Sequence, residues 1–478
     1  MTRFLRNTAL FAALALAGCV SVGPDYKKPD TAPANVQNVD AARESHAQFQ
    51  ADWWKQFNDP TLDTLIQRAA KGSLDLRIAQ ARLAESRALL GTAKSNQIPT
   101  IDTTISATRS LEQQPGFGTS QRVGIDAYQA GFDASWELDL FGGIRRSVEA
   151  ARADLRASEA SMHDAQVSLF AEVARNYFEL RGTQQRLAIA QRNIANQADS
   201  LKLISARAQI GTASEQDVAS ASAQLSAAKA QLPVLDAAVH SYEYRLAVLL
   251  GERPGELDVD VSPGTFKPIA TVLPIGDGGE VLSRRPDVRI AERQYAAANA
   301  RIGVAKAEFF PHISLGGFVG FLAGRPNDFG GPASRAWSFT PSITWNGLNV
   351  ERVRSNLHAS EARANAAEAN YQRTVLQAIE DVDNAVTNYN AEHARVEQLM
   401  AQAEQSRRAA ELARIRYQEG ATGYLELLDA ERVQLAAEDA LAQSESAIDT
   451  RAVALYKALG GGWQACGDAE CSKVAQAQ

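Results

Sequence analysis

Between Arg145 and Gln209 the chain has no proline and a single glycine, Gly182. At 1.5 Å of rise per residue, an unbroken helix over this stretch is about 95 Å long. A helix that long needs lateral partners along its length, and the spacing says which kind. Leu180, Leu187, Ile194, Leu201 and Ala208 recur every seven residues, the seam of a coiled coil. Tyr389, Val396, Ala403, Ala410 and Tyr417 make a second seam of the same period. The return helices carry their own seams. Leu225, Ala228, Leu232, Leu235, Val239, Tyr242, Leu246 and Leu249 alternate by threes and fours, and Leu441, Ile448 and Leu455 keep to sevens. Alanine at seam positions allows close helix approach. Pro233 falls inside the first return helix and predicts a kink there.

The two seams belong to copies of one unit. Arg207-Ala-Gln-Ile-Gly211 matches Arg416-Tyr-Gln-Glu-Gly420, and Leu250-Gly251 matches Leu459-Gly460, each pair 209 positions apart. Ile98-Pro99 matches Phe310-Pro311 at 212 positions. Each half reads helix, proline, two strand-like runs, long helix, glycine turn, long helix, the mark of an internal duplication. The expected organisation is a leader over 1–18, an anchor and equatorial segment over 19–60, repeats over 61–260 and 261–460, and a tail over 461–478. In the first repeat, strands are expected near 100–110 and 127–138 and long helices near 142–209 and 214–250. In the second, a helix is expected near 286–309, strands near 312–321 and 336–345, and long helices near 350–418 and 423–459.

The strand-like runs alternate strongly. Tyr128, Ala130, Phe132, Ala134, Trp136 and Leu138 interleave with Gln129, Gly131, Asp133, Ser135 and Glu137. Trp337, Phe339, Pro341, Ile343 and Trp345 interleave with Ser and Thr. Ile101–Arg109 and Ile313–Phe321 alternate less cleanly. Period two with one polar face means a sheet with one apolar side. Roughly ten residues is also the length of a tilted membrane strand, and terminal Trp and Tyr suit the bilayer interfaces. A soluble half-buried sheet alternates the same way. What separates the two is that no large apolar set remains elsewhere to cover the sheet. Four strands cannot close a barrel, and an open edge in lipid leaves backbone groups unpaired at several kcal/mol each. Spanning strands must therefore be pooled from several chains: two chains make eight, three make twelve. Gly, Pro and polar residues over Leu111–Asp126 and Leu322–Ala336 read as external loops.

The start of the chain is an export signal. Arg3 and Arg6 precede a short apolar run, Thr8–Leu16, which is too short to span a bilayer. The run closes in Leu16-Ala17-Gly18-Cys19, the pattern of a lipoprotein signal cut before a cysteine that then carries lipid. Val20, rather than Asp, follows Cys19, which by analogy with sorting rules favours the outer membrane. Cys466 and Cys471 remain near the C-terminus, where an oxidising periplasm favours a local disulfide over a metal site. The net charge of −7 gives no basic excess for nucleic acid. The six His are scattered without ligand spacing, no phosphate loop is present, and no cofactor motif or catalytic constellation stands out.

The ordered motifs resemble one family. Val22-Gly-Pro-Asp-Tyr-Lys-Lys-Pro29 follows Cys19, then comes Trp53-Trp-Lys-Gln-Phe-Asn-Asp-Pro-Thr-Leu62. Arg284-Arg-Pro-Asp-Val288, Ala291-Glu292, Gly303-Val-Ala305 and Phe309-Phe-Pro311 stand mid-chain. Arg416-Tyr417, Gly420, Tyr424-Leu425 and Leu428-Asp-Ala430 come late. This series is similar to the TolC-like outer-membrane factors, in the NodT-type lipoprotein branch that serves resistance–nodulation–division pumps. The resemblance implies an α+β membrane protein: a homotrimer whose chains each give four strands to a twelve-stranded outer-membrane barrel. That barrel would continue into a long periplasmic α-helical coiled-coil barrel with an equatorial belt. A periplasmic adaptor, an inner-membrane transporter and outer-membrane lipid are the implied partners.

The resemblance also implies a constriction near the helix tips, and the matching positions are Leu425, Asp429 and Arg432. Leu425 and Asp429 share a helix face. Three symmetry-related carboxylates repel, and Arg432 is the nearby counter-charge. Without the resemblance, Leu425 is a seam residue and Asp429–Arg432 a surface pair worth under ~1 kcal/mol. The helix tips, Arg207 to Gly211 and Arg416 to Gly420, are the expected adaptor contacts, although tight reversal alone accounts for the glycines. The expected function is the outer-membrane channel of a tripartite efflux system carrying drugs or other small molecules. Export of metal ions or proteins, and a structural coiled-coil lipoprotein, are the competing readings.

Overall fold

The computed structural model describes residues 21–29, 37–40, 44–45, 50–113, 122–264, 269, 273–275 and 278–465. Cys19, Cys466 and Cys471 lie outside them. In chain order the elements are β1 (Glu44–Ser45), α1 (Pro60–Gly72), α2 (Leu74–Ser95), β2 (Thr100–Gln113), β3 (Arg122–Leu138), α3 (Gly143–Gln209), α4 (Glu215–Leu250), β4 (Leu273–Pro274), α5 (Gly278–Arg284), α6 (Pro286–Ala307), β5 (His312–Ala323), β6 (Arg335–Thr344), α7 (Val350–Gln418) and α8 (Tyr424–Ala458). Among the described residues no helix is long and apolar enough to cross a membrane. The chain divides into two units, one of Met1–Asp30, Arg82–Glu159 and Arg289–Arg373, the other of Thr31–Ala81, Ala160–Val288 and Thr374–Gln478.

The first unit holds one antiparallel sheet in the order β2-β3-β5-β6. Thr103 pairs with Phe132, Phe132 with Val319 and Val319 with Trp337, so these residues share a face. On that face Ile101, Ile105, Phe132, Val319, Trp337, Phe339 and Ile343 are all more than half exposed. The opposite face is polar. There Asp102 pairs directly with Asp133, and Thr104 donates to Asp133 at 2.6 Å. Like charges facing each other are tolerated only where water screens them. The flanks of the first expected loop are strand instead: the ladder runs on to Gln113↔Arg122. The two strands satisfy each other's backbone, so pairing continues past the apolar stretch. Around the second loop, β5 reaches Ala323 and short 3₁₀ turns at Pro326–Asp328 and Pro332–Ser334 precede β6.

The second unit carries the larger core. Asp59 caps α1 by accepting from Thr61 N–H (2.9 Å) and Leu62 N–H (3.2 Å), and Pro60 needs no donor at the first position. Leu62, Leu65, Ile66 and Ala69 then form one buried stripe. Trp53 stacks on Tyr456 (5.2 Å), and Trp54 meets Phe170 edge-on (5.3 Å). Complete burial of such side chains stabilises by about 2–3 kcal/mol each. The second coiled-coil seam is wholly buried within one chain: Tyr389, Val396, Ala403, Ala410 and Tyr417. The first is not. Leu180 is buried, but Leu187, Ile194, Leu201 and Ala208 are half-buried. α4 runs through Pro233 as one helix from Glu215 to Leu250.

Candidate functional site

Both helix tips follow one local rule. α3 ends where Gly211 turns left-handed (φ +77°), with Gly211 N–H donating to Ala208 O (3.0 Å) and Thr212 N–H to Arg207 O (2.9 Å). α7 ends the same way at Gly420 (φ +76°), with Gly420 N–H donating to Tyr417 O (3.1 Å) and Ala421 N–H to Arg416 O (2.8 Å). This pairing satisfies the last carbonyls of each helix. A side chain in that backbone region costs on the order of 1 kcal/mol. No atom lies within 4 Å of where a Cβ would stand on either glycine, so the turns are bare outward.

The following helices start differently. Ser214 accepts from Asp217 N–H (3.1 Å) while Asp217 accepts from Ser214 N–H (3.1 Å), a reciprocal capping box. The equivalent residue before α8 is Gly423, which offers no side-chain cap. In compensation Tyr424 is buried and meets Tyr417 edge-on at 6.0 Å, within a cluster holding Ile204, Ala221 and Leu427. Burial, then the nearby Glu431 carboxylate, push the Tyr424 hydroxyl up to about 12.

Arg207 joins the two tips. Its guanidinium donates to Tyr417 O and Gln418 O, both at 2.7 Å, and lies 4.6 Å from the centre of the Tyr417 ring. It thus caps the end of α7, where the helix dipole leaves negative charge. Further contacts tie α3 to α8, among them Gln185 donating to Glu445 at 2.9 Å. Arg186 pairs with Asp439 by two bonds (2.7 and 3.2 Å). Ser200 donates to Glu431 at 3.3 Å, and Arg414 of α7 reaches the same carboxylate at 2.8 Å. Gly182 lets the helices nearly touch, since a Cβ there would stand 2.4 Å from Ser446 Cβ. Ser446 in turn donates to Phe178 O at 3.0 Å.

On α8, Tyr424 and Leu427 face inward, while Leu425 is 60% exposed and Asp429 and Arg432 are exposed. Asp429 and Arg432 make no ion pair with each other, or with any other described residue of the chain. Arg416, unlike Arg207, is exposed and likewise without a bonded partner among the described residues. The sequence reading therefore treats as equals two arginines that the fold separates.

In the first unit, the segment after Cys19 is held fast. Val22 N–H donates to Phe141 O at 3.1 Å, three residues beyond the end of β3. Arg146, nearly buried, donates to Val22 O (3.1 Å) and Gly23 O (3.3 Å) and pairs with Asp25 (2.7 Å). Tyr26 donates to Glu292 at 3.0 Å, and Asn299 to Pro24 O at 3.2 Å. The Gly-Pro-Asp-Tyr motif is thus a clasp on α3 and α6.

In the second unit two polar residues that sequence reasoning leaves without a role prove structural. Arg285 is buried, pairs with Asp287 (2.7 Å) and Asp381 (2.8 Å), and donates to Ala458 O (2.9 Å), closing the end of α8. Asp449, fully buried on α8, accepts from Ile269 N–H at 2.8 Å and so fixes the segment between the repeats. Burial pushes its carboxyl up to about 8, and Asp59 adds to the effect. The Arg-Arg-Pro-Asp motif marks the first of these residues. Nothing in a heptad pattern marks the second, because an Asp on a long helix reads as solvated.

The profile described as "Outer membrane efflux protein" matches residues 65–252 and 278–461, one segment in each repeat. The pyoverdine export outer membrane protein OpmQ of Pseudomonas aeruginosa is 32% identical, with 96% of this chain and 98% of that protein covered. The solvent efflux pump outer membrane protein SrpC of Pseudomonas putida is also 32% identical, at the same coverage. Among solved structures, the outer-membrane channel OprN superposes with a TM-score of 0.89 at 46% identity, over 93% of this chain and all of that one.

Proposed function

The chain belongs to the outer membrane efflux protein family, and from that premise we propose that three copies close a twelve-stranded barrel above a periplasmic tunnel. It is an outer-membrane channel of an efflux pump and not an enzyme. The observation that carries the pooling of strands between copies is the sheet. β2 and β6 are edge strands of 14 and 10 residues, their outer backbone groups unpaired, on a sheet whose one face is apolar and exposed. In lipid each unpaired group costs several kcal/mol. Pairing β6 of one copy with β2 of the next removes every edge. The resemblance to the TolC-like family supports three copies over two. The half-buried first seam fits the same assembly, because a neighbouring copy would complete its cover.

The tunnel receives cargo from an inner-membrane resistance–nodulation–division transporter through a periplasmic adaptor. The adaptor docks on the tips, where Gly211 and Gly420 are bare and Ile210 and Glu419 are exposed; Arg207 holds that platform together, and Arg416 lies beside it. Leu425, Asp429 and Arg432 form the closed constriction. Asp429 and Arg432 have no partner among the described residues of one chain, so their charges are available to meet across the three-fold axis. The cargo is small molecules; the siderophore and solvent named for the relatives support that class.

Cys19 carries the lipid. Val22 is fastened beside the strand ends, and three residues of chain reach at most about 10 Å further, which suits acyl chains in the adjoining leaflet. Cys466 and Cys471 form a disulfide that fastens the tail. Mass spectrometry of the mature protein tests both assignments, because an unmodified Cys19 or two free thiols would refute them. The channel reading is tested by crosslinking the purified protein and measuring its conductance in planar bilayers, with drug susceptibility of a deletion strain alongside. A crosslinked species stopping at two copies, or a deletion strain of unchanged susceptibility, would overturn it.

A further inference from the structure

We propose that Arg416 repeats between copies the contact that Arg207 makes within one, its guanidinium donating to the Ala208 and Gln209 carbonyls at the end of α3 in the next copy. The inference rests on the closed ring proposed above. The two repeats are offset by 209 positions. Within the chain, repeat one meets repeat two at a joint that includes Gly182–Ser446, Arg186–Asp439, Ser200–Glu431, Arg207 on Tyr417 O and Gln418 O, and Gln185–Glu445. In a closed ring, repeat two of one copy must meet repeat one of the next at a related joint. Applying the offset gives the residues that would face each other there.

Most of the chemistry does not survive that step. Gly182–Ser446 becomes Ala391–Ala237, Arg186–Asp439 becomes Arg395–Ala230, and Ser200–Glu431 becomes Ala409–Ser222. Gln185–Glu445 becomes Ala394–Asp236, so each polar side-chain pair loses either its donor or its acceptor. The Arg207 contact survives, because its acceptors are backbone carbonyls, which every sequence supplies. Arg207 maps onto Arg416, and Tyr417 and Gln418 map onto Ala208 and Gln209. Ala208 O already accepts from Gly211 N–H, as Tyr417 O accepts from Gly420 N–H. In the Arg207 contact that second lone pair is also used, so it is available at Ala208. Arg416 is exposed with no bonded partner among the described residues, as a residue awaiting a second copy should be. Leu412 points the same way: it is 54% exposed, whereas its counterpart Leu203 packs into the tip cluster.

The joint between copies is therefore the lighter of the two kinds. It lacks the ion pair at Asp439, the Glu431 link and the aromatic ring that Tyr417 offers Arg207. Arg416 is its principal polar tie at the tips, and the tips part first along boundaries between copies.

The test pairs cysteines in a Cys466→Ser, Cys471→Ser background. Arg416→Cys with Gln209→Cys is expected to give covalent trimers with a short bifunctional maleimide, which spans the reach of the replaced arginine where a disulfide would not, and Arg207→Cys with Gln418→Cys an intrachain crosslink as control. Arg416→Ala is expected to raise closed-state conductance about tenfold, as loss of charge-assisted hydrogen bonds implies. Adding Ala230→Asp, which restores an acceptor for Arg395, should reverse much of that rise. Native trimers in which the first cysteine pair stays uncrosslinked would overturn the Arg416 contact and leave the ring intact. Failure of the native protein to form a ring of copies would overturn both.

Discussion

Replacing Asp449 by Asn tests how the segment between the repeats is held. Asp449 is completely buried, and its one hydrogen bond among the described residues comes from Ile269 N–H, leaving Oδ2 without a partner. Burial raises its carboxyl to about 8, so the folded chain keeps a proton there that the unfolded chain releases near pH 4. Between those values the folded state binds more protons. Its stability is therefore greatest below about pH 4 and falls as pH rises towards 8, by roughly 1.4 kcal/mol per unit. From pH 5.5 to 8.5 the loss is about 3 kcal/mol, because it levels off once the pH passes 8. Asn keeps the acceptor for Ile269 and cannot ionise. Asp449→Asn is thus expected to match the parent near pH 4 and to exceed it increasingly as the pH rises towards 8. The assay is denaturant or thermal unfolding in detergent, followed by helical circular dichroism at pH 5.5, 7 and 8.5. Parallel pH profiles for the two proteins would refute the reasoning, since they would mean that Asp449 ionises freely in the fold.

Arg285→Ala should destabilise the second unit by about 2–3 kcal/mol, because it strands Asp287, Asp381 and the Ala458 carbonyl; the half-exposed Asp381 limits the loss, and the unfolding midpoint reads it. Gly182→Leu should force α3 away from Ser446 at a cost of about 1–3 kcal/mol, seen as proteolysis near the α3–α8 joint, whereas an unchanged cleavage pattern would mean the helices adjust freely. Asp429→Ala should raise closed-state conductance and antibiotic leakage through the isolated channel, and conductance equal to the parent's would remove Asp429 from the constriction.

Much of the architecture is legible along the chain because the forces behind it are local or periodic. Heptads such as Tyr389 to Tyr417 declare buried seams, and the turns at Gly211 and Gly420 follow from a backbone conformation that glycine adopts without cost. The strand alternation shows one wet and one apolar face. Less visible are properties set by a partner distant in sequence. Arg207 and Arg416 are indistinguishable as letters, yet one is bound to the carbonyls of α7 and the other is free of bonds within the described chain. Asp449 looks like any acid on a long helix until its neighbours remove the water around it.

Periodicity by itself determined the long helices, the duplicated plan and the four strands, because each depends on residues near one another in sequence. Tertiary structure decided the register that sorts the sheet into faces, the clasp of Val22 to Tyr26 on α3 and α6, and the unequal fates of two matching arginines. Those outcomes depend on which surface each element meets, and an internal repeat placed twice in one chain meets two different surfaces.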